Sequence, residues 1–303
     1  MRRTIAGVAL VATIALAGSA CGSTSDTPTP TESGNGFPVT VGDLTLDAQP
    51  QRIVSLAPSL TEMLFAIDAG PQVVAVDEYS TYPTNAPITD LSGYTPNAEA
   101  IATYNPDLVV LSDDIGEIVA ALEALEIPVY HGLAAATVAD TYQQISDLGA
   151  LTGHDSEAEA LVETMRTDLE KLVEDLPTRA EPLTYFYELD NQYYTVTSQT
   201  FIGSLFTAAG LVNIADADND NPYPQLSEEA ILQADPDLIF LSDTYPGGET
   251  PQTVAARPGW GALTAVRSGG VIALDTDIAS RWGPRIVDLQ RAIVEAVAAA
   301  PAE

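Results

Sequence analysis

The chain has 303 residues, 46% of them hydrophobic, and 43 acidic against 11 basic side chains give it a formal net charge of −32. That length suits about two domains of ordinary size, each with its own buried core. So acidic a surface repels phosphate backbones and anionic headgroups, which argues against nucleic acid as a partner and against electrostatic membrane attachment.

Arg2 and Arg3 precede the apolar run Ile5–Ala17, and Gly18, Ser19, Ala20 and Cys21 follow it. A basic start, a short apolar stretch and a small-residue exit mark residues 1–20 as a secretory signal, too short to remain as a spanning helix. Its removal takes away Arg2 and Arg3 and no acid, leaving a mature charge of −34. Cys21 is the sole cysteine, so no intramolecular disulfide can form. Its position resembles the lipobox of bacterial lipoproteins, in which the cysteine is acylated and becomes the new N-terminus. Gly18 stands where that pattern prefers Leu, and cleavage beside an incidental cysteine is the competing reading. The expected location is extracytoplasmic, held to the cell membrane only through a lipid on Cys21. Residues 21–36 contain almost nothing apolar and read as a flexible tether.

The folded body then starts near Phe37. Arg52–Leu56 is a short buried strand, followed by a helix start at Ser59 with Glu62 completing a capping box. Val73–Val76, Leu108–Leu111 and Val129–His131 are further strands, separated by helical stretches such as Ile115–Leu125. Alternating strands and helices predict a parallel sheet covered on both faces. From Asp155 to Leu176 the apolar residues Ala158, Leu161, Val162, Met165, Leu169, Leu172, Val173 and Leu176 form one helical stripe. Ser156 with Glu159 offers a capping box, Pro177 follows the end, and the helix would be roughly 33 Å long. Strands near Tyr185–Tyr187, Leu238–Leu241 and Val271–Leu274 come next, with a closing helix from Arg285 to Ala299. The predicted layout is an N-terminal α/β lobe (37–152), an inter-lobe helix (153–177) and a C-terminal α/β lobe (178–303).

The chain also repeats itself. Residues 97–114, NAEAIATYNPDLVVLSDD, and 227–244, SEEAILQADPDLIFLSDT, share nine of eighteen positions without a gap, Glu99 and Glu229 among them. An offset of 130 residues is far beyond a solenoid repeat and indicates two similar lobes with a cleft between them.

Catalytic patterns are scarce. His131 and His154 lack metal-ligand spacing, and no nucleophile elbow, P-loop or dinucleotide fingerprint occurs. Nothing singles out a glycosidase pair among the many carboxylates. No cofactor is implied, and an acidic secreted hydrolase is the weakest of the functional readings.

Tyrosines are more informative. Tyr79, Tyr82, Tyr94, Tyr193, Tyr194, Tyr223 and Tyr245 fall where strands end or just after. Ligands of open parallel sheets bind beyond the carboxyl ends of the strands, and tyrosine offers a face and a polar tip. Singly, each is an ordinary packing or surface residue; together they outline a pocket. Asp277, Arg281, Trp282 and Arg285 follow the last strand. They read either as ligand contacts or as a salt-bridged turn capping the last helix.

RIVSLAPSLTEMLFAI, VVAVDEYSTYP, NPDLVVLSDD, TFIGSLFTAAGLVNIAD, YPQLSEEAILQADPDLIFLSD and SRWGPRIVDL resemble, in order and spacing, the substrate-binding proteins of ABC importers for cobalamin and ferric siderophores. The resemblance runs from about Arg52 to the last helix. It implies two Rossmann-like lobes joined by a single long rigid α-helix, with ligand held between them and little closure. It further implies aromatic ligand contacts at Tyr79 and Tyr223 and polar ones at Asp277 and Arg281, while Tyr82, Tyr94 and Tyr194 complete the set of ligand residues. Docking on a permease dimer through one glutamate per lobe is implied for Glu99 and Glu229; first-turn helix electrostatics gives both a second role.

A triply anionic catecholate needs more cationic groups than Arg281 and Arg285. Cobalamin, another corrinoid or a ferric hydroxamate suits the cleft better, with haem a lesser choice. The shortage of histidines disfavours a zinc or manganese carrier. The expectation is a solute-binding lipoprotein delivering a corrinoid or ferric siderophore to an ABC importer, with a non-transport ligand sensor as the alternative.

Overall fold

The computed structural model describes residues 36–217 and 221–301. The predicted signal, Cys21 and nearly all of the tether lie outside them. A hairpin of β1 (Val39–Val41) and β2 (Leu44–Leu46) opens the described chain. Then come β3 (Ile53–Ser55), α1 (Pro58–Ala66), β4 (Val73–Val76), α2 (Ala98–Ala102) and β5 (Leu108–Leu111). α3 (Ile118–Glu123), β6 (Val129–His131), α4 (Val138–Thr152) and α5 (Asp155–Glu174) complete this half. β4, β3, β5 and β6 form, in that spatial order, one wholly parallel sheet.

The second half runs β7 (Thr184–Glu188), α6 (Phe201–Ala208), β8 (Val212–Asn213), α7 (Glu228–Ala234), β9 (Leu238–Leu241) and α8 (Pro251–Ala255). It closes with α9 (Thr264–Ser268), β10 (Val271–Ala273), α10 (Thr276–Ser280) and α11 (Ile286–Ala299). β10, β9, β7 and β8 form the second parallel sheet.

The central strands show why both sheets need two covers. β5 (LVVL) and β9 (LIFL) are buried at every position. Side chains alternate across a strand, so Leu108 and Val110 enter one N-lobe core while Val109 and Leu111 enter the other. Leu238 and Phe240 against Ile239 and Leu241 repeat this division in the C-lobe.

The internal repeat is repeated geometry. Asn97 and Ser227 cap α2 and α7 by accepting from the N–H of Ala100 and Ala230. Asn105 (φ 48°) and Asp235 (φ 43°) both take the left-handed conformation that short polar side chains tolerate best. Asp107 then accepts from the N–H groups of Gln51 and Arg52, and Asp237 from the N–H and hydroxyl of Thr184. Each repeated Asp therefore ties the start of its strand to the start of the neighbouring one.

Two helices connect the cores. α5, about 30 Å long at 1.5 Å per residue, lays Leu161, Val162, Met165, Leu169 and Leu172 on the N-lobe core, and Leu176 just beyond it reaches the C-lobe core. α11 packs beside α5 and straddles the lobes. Its first residues, Ile286 and Val287, enter the N-lobe core, and Leu289, Ile293, Ala296 and Val297 enter that of the C-lobe.

Three local expectations are corrected. α1 starts at Pro58 with Ala57 as its cap, and Ser59 and Glu62 form no capping box because both are turned towards the residues that follow Ser280. α5 starts beyond His154 without a side-chain cap: left-handed Gly153 ends α4 one residue earlier, and Ser156 bonds Glu157 instead of Glu159. The helix predicted at Ile115 is interrupted by left-handed Gly116 and Glu117 and becomes regular only at Ile118.

Candidate functional site

The lobes meet at the carboxyl ends of β4 and β10. After β4 the chain turns on a buried hydroxyl net in which Thr61 donates to Ser55 at 2.7 Å, lies 2.9 Å from Ser80, and Ser80 in turn donates to Asp77. Burial pushes the Asp77 carboxyl above its ordinary range against the opposing pull of the Ser80 hydrogen bond. Glu78 N–H donates to Leu91 O, and Gly93 lies against Leu56 O so closely that a side chain would collide with it. That approach folds the 91–95 segment over the end of β3. Tyr79 and Tyr94 consequently meet edge to face, with ring centroids 5.4 Å apart.

From the other lobe, Asp275 caps α10 by accepting from the N–H of Asp277 and Ile278. Asp277 accepts from the Thr81 hydroxyl at 3.1 Å and pairs with Arg281 at 2.9 Å. Arg281 also donates to Tyr79 O at 2.9 Å and to Glu62 Oε1 at 2.8 Å. Arg285 grips the same carboxylate, Nε to Oε2 at 3.0 Å and Nη2 to Oε1 at 2.5 Å, and its guanidinium lies 4.3 Å from the centroid of the Tyr82 ring. The Glu62 side chain is 1% exposed, and those of Arg281 and Arg285 are 9% and 16% exposed. Glu62 holds Arg285 above its ordinary pKa range, although burial opposes this. Between the arginines, Trp282 donates its backbone N–H to Ser59, donates its indole N–H to Gln144 and accepts from Thr141. The C-lobe segment 281–285 is thus seated in the N-lobe.

Tyr79, Tyr82, Tyr94, Asp277 and Arg281 are therefore brought together. The two remaining sequence-predicted ligand residues sit on a separate part of the C-lobe. Tyr194 bridges Gln225 in an extended pairing that places Tyr223 two residues away on the facing segment. Adjacent Tyr193 is spent on packing, stacked on Trp260 at 5.6 Å with the Arg257 guanidinium 5.5 Å away. Tyr245 follows β9 in a loop whose Gly248 leaves no room for a side chain beside Asp243 O.

Beneath that loop, Arg257 pairs with buried Glu188 at 2.6 Å and with Glu249 at 3.1 Å. Burial pushes both Glu188 and Asp243 upwards, and Asp243 Oδ1 is buried with no hydrogen-bond partner among the described residues. A cavity of about 400 Å³ adjoins the inter-lobe joint, lined by Phe65, Tyr82, Pro83, Asn85, Arg285 and Asp288 among others. Another of about 660 Å³ lies between the β1–β2 hairpin and the loop after β6; none of the sequence-predicted ligand residues lines it.

Glu99 and Glu229 occupy matching first-turn positions of α2 and α7, are exposed, and make no ion pair with any of the described residues. Among the described residues no cluster of three or more His, Cys, Asp and Glu is placed to hold a metal, and no helix is long and apolar enough to cross a membrane. Sequence reasoning missed Glu62 and Thr81. A signal existed for the first: Glu62 is the only charged residue in IVSLAPSLTEMLFAI, and a lone acid on a buried helix requires a cation.

Residues 53–278 match the family model described as periplasmic binding protein. A cobalamin-binding protein of Halobacterium salinarum is 33% identical over 272 residues, covering 83% of this chain and 72% of that one. The ABC transporter substrate-binding lipoprotein YvrC of Bacillus subtilis is 30% identical over 306 residues, covering 95% and 94%. The crystal structure of the vitamin B12-binding protein BtuF of Vibrio cholerae aligns with a TM-score of 0.66 and 28% identity, over 82% of this chain and 96% of that one.

Proposed function

For a chain that belongs to the periplasmic binding protein family, we propose the capture of a corrinoid between the lobes and its delivery to an ABC importer. The observation that carries this reading is the set Tyr79, Tyr82, Tyr94, Tyr194, Tyr223 and Tyr245, each 40–69% exposed and each following a strand or facing one that does. Water-facing aromatic rings on both lobes suit a large planar ligand with an apolar body and polar edges. Arg281 acts in this site through Asp277 and Tyr79, which it orients, because its own guanidinium is nearly buried. Relatives named for cobalamin and vitamin B12 favour the corrinoid over a ferric hydroxamate.

Calorimetric titration with cobalamin, cobinamide, ferrioxamine, haem and a ferric catecholate tests the reading. Submicromolar binding of a corrinoid, at least about tenfold tighter than any iron chelate, is expected. Tighter binding of ferrioxamine would replace the corrinoid with a hydroxamate. The lipid anchor belongs to the same proposal: Cys21→Ser should release the protein from the membrane fraction, and a variant that stays bound would refute it.

A further inference from the structure

Among the described residues, three Lys or Arg side chains lie at the carboxyl-end face of the two sheets, and each already has a carboxylate. Arg281 and Arg285 share Glu62, Asp277 is a second carboxylate on Arg281, and Arg257 is divided between Glu188 and Glu249. The other lysine and arginine residues of the described chain lie elsewhere. Arg52 precedes β3 and bonds the carbonyls of Tyr104 and Asn105; Arg179 holds the last carbonyls of α11. Arg166 and Lys171 lie on α5, Arg267 on α9 and Arg291 on α11. His131, at the end of β6, has its ring against Ser112 O. At the same strand ends Glu78, Asp113 and Asp114 are exposed and have no ion-pair partner among the described residues.

We propose that Glu62 sets the charge selectivity of the ligand site: by claiming both Arg281 and Arg285, with Asp277 supplying the second negative charge on Arg281, it leaves the other carboxylates of the cleft uncompensated, so neutral or cationic ligands are accepted and anionic ones rejected. This rests on the inter-lobe cleft being the ligand site, and it names the class of ligand that site takes. An anion could recruit Arg285 only at the expense of its bonds to Glu62, and Arg281 only at the expense of those to Glu62 and Asp277; either loss weakens the pairing of a buried carboxylate. The anion would also approach the unpaired acids after β4 and β5, whose repulsion weakens only with added salt. Glu62 is a positioning residue in this scheme. It touches no ligand and acts through the two arginines.

The test compares cobalamin with its monocarboxylic acid, in which one peripheral amide is hydrolysed, so that the two probes differ by a single negative charge. In the full-length protein the acid should bind roughly tenfold more weakly at low salt, with the gap narrowing as salt is raised. Glu62→Gln should close or reverse the gap, Glu62→Asp should keep it, and Arg285→Gln should widen it. Opposite shifts from Glu62→Gln and Arg285→Gln cannot come from a merely structural joint, which would weaken both probes alike. Equal wild-type affinities, or parallel losses in both variants, would overturn the proposal. If Glu62→Gln fails to fold, the Arg285→Gln shift and the salt dependence decide. If cobalamin itself does not bind, the corrinoid reading has failed, and the charge rule is judged on cationic ferrioxamine against an anionic ferric catecholate. Preference for the catecholate, or binding of neither, would then refute it.

Discussion

Arg281 Nη1 lies 2.8 Å from Glu62 Oε1, although 219 residues separate the two in the chain. Arg285 completes the grip, so one buried carboxylate holds the segment that opens the last helix against the first helix of the fold. Removing one member of such a group strands the other charges out of water. Glu62→Ala should therefore lower unfolding free energy by about 3–5 kcal/mol, read from urea denaturation at neutral pH. A loss below about 1 kcal/mol would show that the joint carries no stability.

The repeated aspartates should differ in weight despite their identical placement. Asp237 serves the partly buried N–H and hydroxyl of Thr184, whereas Asp107 serves the exposed N–H groups of Gln51 and Arg52, which water can reach. Asp237→Ala should cost about 1–3 kcal/mol and Asp107→Ala less than about 1. Denaturation curves of the two variants, measured side by side, check the order.

Stability should rise on mild acidification. Burial holds Asp77, Glu188 and Asp243 above their ordinary pKa values of 3.8, 4.5 and 3.8. Between those values and the raised folded ones, the folded carboxyls bind protons more tightly than the unfolded ones, so stability falls as pH rises through that window. Self-repulsion at a net charge of −32 has the same sign. The opposite case is Asp140, whose pKa is lowered by its bonds to Thr137; its contribution disappears only as pH falls below the ordinary value of 3.8. The melting temperature should thus be higher near about pH 5 than near about pH 8. Asp243→Asn should raise the melting temperature at neutral pH and flatten the slope. A melting temperature that climbs steadily towards alkaline pH would contradict the assignment.

Replacing one ring on each lobe tests the ligand site. Tyr79→Ala and Tyr223→Ala should each weaken cobalamin binding roughly tenfold or more, as truncation of an aromatic anchor does. Tyr104→Ala, beside α2 and away from the carboxyl ends of the strands, should leave it unchanged. If both site variants bind like the wild type, the ligand lies elsewhere.

If Glu99 and Glu229 are the docking pair, the double variant Glu99→Arg with Glu229→Arg should separate partner docking from ligand binding. These exposed side chains have no ion pair to lose, so the fold and the ligand affinity should persist while uptake by cells disappears. Unimpaired uptake would exclude the two glutamates as the docking pair.

The two sheets were legible because their strands are short apolar runs bounded by turns, and the repeat announced a second lobe. The inter-lobe joint was not. Glu62 sits three residues after Ser59, a spacing that reads locally as a capping box, and its true partners lie more than 200 residues away where no periodicity can point to them. α4 escaped for a related reason. Thr141 and Gln144 interrupt its apolar stripe, and both are polar because they bond Trp282 of the other lobe. The tyrosines were visible as a group, yet nothing local told exposed Tyr194 from packed Tyr193.

The last helix places its first turn in one core and the remainder in the other. Neither lobe is then a module that can be expressed or exchanged alone. An N-terminal fragment ending before residue 281 would lack Trp282, Ile286 and Val287 and would present an open hole where they insert. Chimaeras that take one lobe from a relative would have to carry the matching final helix with the first lobe, and the whole body should melt in one cooperative transition.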